Sequence, residues 1–431
     1  MAKVREIAVN LLIELQENKA YSNIALNKII TQNDLSSLDK GFLTALFYGV
    51  LDRKITLDFI ISKFIKTPVN KLKPITKESL RIAVYQIIYM DKIPESAAVN
   101  ESVNIVKKSK ERYNASFVNG VLRALLRNPV EIPQGDDIKS LSIRYSCPES
   151  VILGFIEDYG LETTKELLSE ALQKPPITLR VNNTKITAEQ LIEELQSEGF
   201  SVQPDTLENS LKILGSIDVS SSFAYKKGYF HIQDLASQIT VKTLDAKPYE
   251  RITDLCAAPG GKTFTIAETM QNKGEVLAFD LYEKRCELIK KGANRLGLNI
   301  IKTNTSDATE YNTNLGLFDA VLCDVPCSGL GVIRRKPEIK YKDISDFSEL
   351  ERTQQKILSN AAGYVKKGGR ILYSTCTLRK AENERQIEIF LDTHREFVLK
   401  YERTFVPHKD GTDGFYCALL VKEGEQNNSK D

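Results

Sequence analysis

Histidine is scarce in this chain of 431 residues, with three in all: His231, His394 and His408. Cysteine is absent until Cys147, and the total of seven is odd. A zinc site is therefore poorly supplied. Cys323 and Cys327 have C-x3-C spacing, but no second ligand pair stands nearby, so no metal is expected. The first residues, MAKVREIAVNLLIEL, carry acids inside an amphipathic pattern and do not read as an export signal. A cytoplasmic location without disulfides is the expectation. No apolar run approaches the roughly 20 residues that span a bilayer. Also missing is G-x-x-x-x-G-K-[ST], which disfavours a nucleoside triphosphate site, and G-x-G-x-x-G is missing too.

Charge is unevenly spread. Residues 1–140 hold 21 Lys+Arg against 15 Asp+Glu, while the remainder holds 38 against 42. The basic end suits a polyanion, and a well-solvated helical face would look the same. This end is almost free of glycine clusters and strand patterns. Ala8, Leu11, Leu12 and Leu15, then Leu43, Leu46, Val50 and Leu51, recur at helical spacing. Pro68 and Pro74 interrupt the run, and SFVNGVLRALLR closes it at Arg127. A bundle of about five to seven helices follows.

Asn128 to Gly135 is a linker by its proline and glycine. Beyond it, Pro175-Pro176 precedes a strand, ITLRVNNTK, and Thr187 caps a helix ending near Gly199. Seven strand runs then alternate with helices: Ile252–Leu255, Val276–Asp280, Ile300–Lys302, Phe318–Cys323, Arg370–Ser374, Phe397–Leu399 and Phe415–Val421. That alternation argues for a mostly parallel sheet covered on both faces, with the last run as an edge strand. The expected organisation is an all-α bundle at 1–135, a small α/β module at 136–235 and an α/β Rossmann-like domain at 236–423. A polar, disordered tail is expected at 424–431.

Chemistry concentrates at strand ends. DLCAAPGGKT, Asp254 to Thr263, follows the first strand of the last domain and opens a helix. Its small residues permit close backbone approach, and the helix start offers N–H groups to a carboxylate. Asp280 ends the next strand and is placed for a ribose hydroxyl pair; Asp307, after the third, suits an adenine amino group. Each acid alone is usually a cap or a solvated turn, but three at successive strand ends fit S-adenosylmethionine. In FDAVLCDVPCSGLG, a strand presents Asp324, a rigid Pro326 and the thiol of Cys327 together. Cys376 follows another strand in STCT, one crossover later, so adjacent parallel strands would bring both thiols to one rim. Cys256, Cys286, Cys323 and Cys417 read as small core residues. Arg334, Arg335 and Lys336 could grip phosphates, as could Arg180, while Arg180 and Asn182 equally suit an ordinary surface. Phe230 and Phe415 are candidate stacking platforms or core aromatics.

ESAAVNESVNIVKKS and ASFVNGVLRALLR, with DKGFLTALFYGVLDRK, resemble the NusB-type RNA-binding helical domain. DLCAAPGGKT, DVPCSGLG and STCTLRKAENE closely resemble the RNA cytosine-C5 methyltransferase family of the Sun type. The two resemblances together cover essentially the whole chain. They imply a SAM-dependent methyltransferase whose cofactor site is Cys256, Ala257, Ala258, Pro259, Gly260, Gly261, Lys262, Asp280, Arg285, Asp307 and Asp324. They imply further that Cys376 is the nucleophile at cytosine carbon 6 and that Cys327 assists product release, with Asp324 as the partner of ring N3. The implied partner is 16S rRNA, free or partly assembled, acted on by a monomer. The alternatives are the same chemistry on tRNA or another rRNA, or a non-catalytic RNA-binding factor.

Overall fold

The computed structural model describes residues 2–18, 22–215, 218–342 and 347–424. The expected tail therefore lies outside the described residues from position 425 onward. The chain divides into two compact units, Met1–Gln173 with Ile333–Ile344, and Lys174–Val332 with Ser345–Asp431.

The first unit is helical. Its helices as far as residue 127 are Ala2–Asn18, Ser22–Gln32, Ser37–Asp52, Lys54–Ser62, Pro74–Tyr89, Glu95–Lys108 and Ala115–Arg127. That number lies within the expected range. Pro74–Tyr89 is the central one, buried from Ser79 to Val84. Proline at its first position costs it nothing, because that N–H has no helical acceptor. Glu111 receives the next two, from Ile75 at 3.2 Å and Thr76 at 2.8 Å. Arg81, nearly buried, makes two 2.7 Å bonds to Asp58 and one to Glu78.

The linker after Arg127 does not end this unit. Thr56 Oγ1 donates to Ile143 O at 2.6 Å, and Ile55 N–H donates to Ser146 Oγ at 2.9 Å. Helices Ile138–Tyr145, Glu149–Tyr159 and Leu161–Glu170 thus pack with the bundle, and the first compact unit runs on to Gln173. The segment from Ile333 joins it too. Glu338 accepts from Ser22 N–H and Oγ at 3.0 and 2.8 Å, and Lys340 Nζ donates to Asp52 O at 2.9 Å.

The second unit holds two sheets. The smaller has β1 (Ile177–Val181), β2 (Ser201–Pro204), β3 (Ser210–Leu214) and β4 (Phe230–Ile232), in the order β2-β3-β1-β4, all antiparallel. Helix Ala188–Ser197 packs on it, capped by Thr187 as expected, with Gln190 completing a reciprocal box. The larger has β5 (Arg251–Asp254), β6 (Glu275–Asp280), β7 (Ile301–Thr305), β8 (Phe318–Asp324), β9 (Val365–Thr375), β10 (Phe397–Phe405) and β11 (Phe415–Lys422). Their order is β10-β11-β9-β8-β5-β6-β7, parallel from β9 to β7 and antiparallel at β11 and β10. Both faces are covered. Ala320 and Leu322 of β8 enter one apolar cluster, and Val321 and Cys323 enter the other. This is the two-residue period of a strand buried on both sides.

One expectation is corrected. The run FYCALLV is β11, and it lies inside the sheet between β9 and β10. Phe415 to Ala418 are all buried, so neither face tolerates an edge. The edge strand on this side is β10, whose exposed Leu399 and Lys400 suit solvent.

Arg180 and Asn182 are also corrected as surface candidates. Asn182 is fully buried, and its Nδ2 donates to Gly228 O at 3.0 Å and Leu296 O at 2.8 Å. It therefore ties the small sheet to the end of helix Glu283–Leu296, which follows β6 of the large one. Replacing Asn182 by Ala strands two buried carbonyls and should cost about 1–3 kcal/mol. The urea midpoint should fall accordingly, and an unchanged midpoint would refute the tie.

Candidate active site

The site is built at the carboxyl ends of β5, β6, β8 and β9. The strand order reverses direction between β5 and β8, which is where open α/β sheets bind ligands. Beyond β5, Ala257 N–H donates to Phe279 O at 2.7 Å and turns the chain. The Ala258–Pro259 bond is cis, and Gly260 sits at φ 111°. A Cβ at Gly260 would also meet the Phe264 ring at 2.3 Å, so only glycine fits. Helix Gly261–Thr269 starts here, and its first N–H groups have no acceptor within the helix.

Asp280, at the end of β6, is 2% exposed. It accepts from Ala258 and Tyr282 N–H groups, both at 3.3 Å, and pairs with Arg285 Nη1 at 3.2 Å. Arg285 Nη2 also donates to Ala258 O at 2.9 Å. These two residues thus lock the small-residue turn. Asp307 is half-buried and accepts from Thr309 N–H and Oγ1 at 2.8 and 2.7 Å, which pushes its carboxyl down.

The strands β8 and β9 run parallel with Asp324 level with Ser374. Ser374 Oγ donates to Asp324 Oδ1 at 2.8 Å, and Lys262 Nζ donates to Oδ2 at 2.7 Å. Burial works against the Lys262 ammonium, but Asp324 more than offsets it and raises its pKa. The Lys262 charge also lies 4.8 Å from the centre of the Phe415 ring. Just beyond, Cys327 Sγ and Cys376 Sγ lie 3.3 Å apart. Both are partly exposed, whereas Cys286, Cys323 and Cys417 are buried as expected. Cys256 is partly exposed within the glycine loop. The Cys376 hydrogen bond, then burial, pushes the Cys327 thiol well above its ordinary value.

The two cysteine loops are tied across. Gly331 N–H donates to Cys376 O at 3.0 Å, and Ser328 Oγ bonds Thr377 Oγ1 at 2.7 Å. A Cβ at Gly331 would lie 2.0 Å from Gly414 O. Sequence reasoning missed Ser374, Gln354 and Thr263. Ser374 was recoverable from the register of β8 against β9. Gln354, on helix Phe347–Tyr364, carried no local signal.

The basic candidates fare differently. Arg180 is 8% exposed, with Nη1 bonded to Glu208 O at 3.0 Å and Nε 3.7 Å from Glu268, so its charge is not presented to RNA. Arg334 is also 8% exposed, and burial withdraws it. Arg335 and Lys336 are half-buried. Phe230 and Phe415 are core aromatics at 0% and 4% exposure. Asp234 caps helix Leu235–Leu244 through Ala236 N–H at 2.9 Å. Among the described residues no cluster could hold a metal ion, and no helix is long and apolar enough to cross a membrane.

Comparison with known proteins places this geometry. The description "16S rRNA methyltransferase RsmB/F" matches residues 241–421, the NusB family matches 2–127, and the ferredoxin-like domain of RsmF/B-type methyltransferases matches 148–220. The chain is 39% identical to the probable ribosomal RNA small subunit methyltransferase B of Bacillus subtilis, over 98% of this chain and 99% of that one. It is 32% identical to the corresponding Synechocystis protein, over 98% and 100%. The crystal structure of PH0851 superposes with a TM-score of 0.85 at 28% identity, covering 98% of this chain and 99% of its own. The fold of NSun6 from Pyrococcus horikoshii, solved with SFG, matches at a TM-score of 0.60 and 23% identity, over 64% and 99%.

A pH dependence follows from Asp254, which is 1% exposed and accepts from Thr263 Oγ1 at 2.7 Å. Burial pushes its carboxyl up to about 7. Unfolded aspartate ionises near 3.9, so between about pH 4 and 7 the folded chain holds a proton the unfolded chain has lost. Stability from this group falls as pH rises through that window. Asp254→Asn removes the dependence, so the variant should gain on wild type from about pH 4 to about pH 8. Urea midpoints measured across the series check this; a difference independent of pH would contradict it.

Proposed function

The chain belongs to the RsmB/F family of 16S rRNA methyltransferases, and from that premise we propose that it methylates carbon 5 of a cytosine in 16S rRNA through a covalent adduct with Cys376. The observation that carries this reading is the pair of thiols 3.3 Å apart beside Asp324 and the glycine loop. Family membership supports SAM-dependent methylation of ribosomal RNA; the two thiols support the cytosine chemistry.

The residues present fit S-adenosylmethionine. Gly260, at φ 111° and packed against the Phe264 ring, turns the chain into helix Gly261–Thr269, whose first N–H groups are free to meet a carboxylate, and Asp280 stands at the next strand end. Cys256 to Lys262, Asp280, Arg285, Asp307 and Asp324 would surround it. Bound there, S-adenosylmethionine supplies an electrophilic methyl group.

Carbon 5 of cytosine is a poor nucleophile. The Cys376 sulfur adds to carbon 6 and makes carbon 5 enamine-like, which divides one hard step into easier ones. Asp324 faces ring N3. As the sulfur adds, the proton lost from the Cys376 thiol passes across the Lys262–Asp324 pair to N3, so the pair itself ends unchanged. After transfer, the carbon-5 proton passes to solvent and carbon 6 expels the Cys376 sulfur; the N3 proton returns across the Lys262–Asp324 pair to that sulfur, and Cys327 assists the release. The base must leave its stack to reach these groups. Arg335 and Lys336 follow the Cys327 loop in sequence, and their charge suits RNA phosphates.

Purified enzyme, tritiated S-adenosylmethionine and unmodified 16S rRNA test the proposal. Cys376→Ala should lose methyl transfer by about a thousandfold or more. Cys327→Ala should accumulate a protein–RNA adduct seen as a retarded band on denaturing gels. Equal activity of wild type and Cys376→Ala would remove the nucleophile, and preference for tRNA would change the substrate.

A further inference from the structure

One buried carboxylate takes no part in the chemistry above. Glu382 is fully buried, six positions after Cys376 in a short helical turn, Lys380–Glu382. Its Oε2 accepts from Ser328 N–H at 2.8 Å and from Gln354 Nε2 at 3.0 Å. Its Oε1 faces Arg379 Nη1 at 3.2 Å. Gln354 Nε2 also donates to Pro326 O at 2.9 Å. Ser328 and Pro326 are the two neighbours of Cys327. The peptide groups flanking that thiol are therefore held by one carboxylate and its amide partner. Glu382 is itself fixed to β9, because Tyr373 OH donates to its backbone carbonyl at 2.7 Å. A carboxylate rooted on the Cys376 side thus grips the loop on the Cys327 side.

A buried carboxylate accepting charge-assisted bonds is costly unless every oxygen is used. Here both oxygens have partners, and one of the donors is the backbone N–H beside the thiol. We infer that Glu382 is a positioning residue that holds the Cys327 thiol against Cys376 for the release step. The inference rests on the reading that Cys327 assists release. In that step the C5–H bond breaks, its proton passing to solvent water or hydroxide. The C5–C6 double bond reforms, and the C6–S bond breaks with its electron pair on the Cys376 sulfur. The Cys327 S–H, held within reach, hydrogen-bonds the departing thiolate. The Glu382 charge adds to the Cys376 hydrogen bond and burial in keeping Cys327 protonated for that purpose.

The test compares the first methyl transfer with steady-state turnover in the full chain, using tritiated S-adenosylmethionine and unmodified 16S rRNA. In Glu382→Gln, turnover should fall about tenfold or more beyond any loss in the first transfer. Adduct should accumulate on denaturing gels as in Cys327→Ala, and Glu382→Asp should recover part of the turnover. A simple packing defect lowers both phases together and leaves no adduct, which would overturn the inference. Adduct in Cys327→Ala with wild-type turnover in Glu382→Gln would overturn it as well, leaving the release reading intact. Absence of adduct in Cys327→Ala would instead sink the release reading, and this inference with it. Should Glu382→Gln fail to fold, Gln354→Leu removes the amide partner alone, and the same split, in smaller measure, is required of it.

Discussion

The site depends on one register. β8 and β9 are parallel neighbours, and Asp324 is level with Ser374. A slip of one residue would turn every side chain to the opposite face. It would send Cys323 toward the rim and Asp324 toward hydrocarbon. The register is held because alternate residues of β8 fill different apolar clusters, so neither face can be exchanged for the other. Two thiols 49 positions apart in sequence meet because the core on both sides of these strands allows no other alignment.

Buried charge is then tolerable at the rim because it is paired and hydrogen-bonded. Lys262 comes from the helix after β5, and Asp324 comes from β8, so their ion pair bridges the point at which the strand order reverses. Ser374 takes the second oxygen of Asp324. Asp254 lies deeper, with Thr263 as its partner, and burial pushes its carboxyl up to about 7. Two carboxyls from adjacent strand ends thus have different environments, the deeper one desolvated and the outer one paired with a cation. Separation of that kind lets carboxyl groups close together take different roles.

Much of this was legible in the sequence. The strand runs, the glycine turn and both cysteine loops follow from local pattern, because each is set by residues next to one another in the chain. One crossover between adjacent parallel strands is enough to bring Cys327 and Cys376 to the same rim, and the thiols meet there. What escaped was set by tertiary packing. Phe397–Leu399 gave only the start of β10, since a half-exposed edge strand lacks a continuous apolar run. FYCALLV is apolar at nearly every position, and that signature of two covered faces was mistaken for the end of a sheet. Arg180 and Asn182 looked solvent-facing because nothing near them in sequence shows that Glu268 and Leu296 O are their partners.

Those same residues show why the small sheet matters to the larger one. Glu268 is fully buried on the helix that starts at the glycine loop. Across from it lie Arg180 Nε of β1 at 3.7 Å and His231 Nδ1 of β4 at 3.3 Å. One turn earlier on that helix, Thr265 Oγ1 donates to Gln233 Oε1 at 2.7 Å. A buried pair contributes little net stability when intact, but removing one partner leaves an uncompensated charge and costs several times more. The pairing therefore acts as a constraint on geometry rather than as a source of stability. It fixes the axis of helix Gly261–Thr269, and with it Lys262, whose ammonium must meet Asp324 at 2.7 Å. A cation that resembled an RNA contact in the sequence thus serves the methyl-transfer site from behind, through a helix and an ion pair.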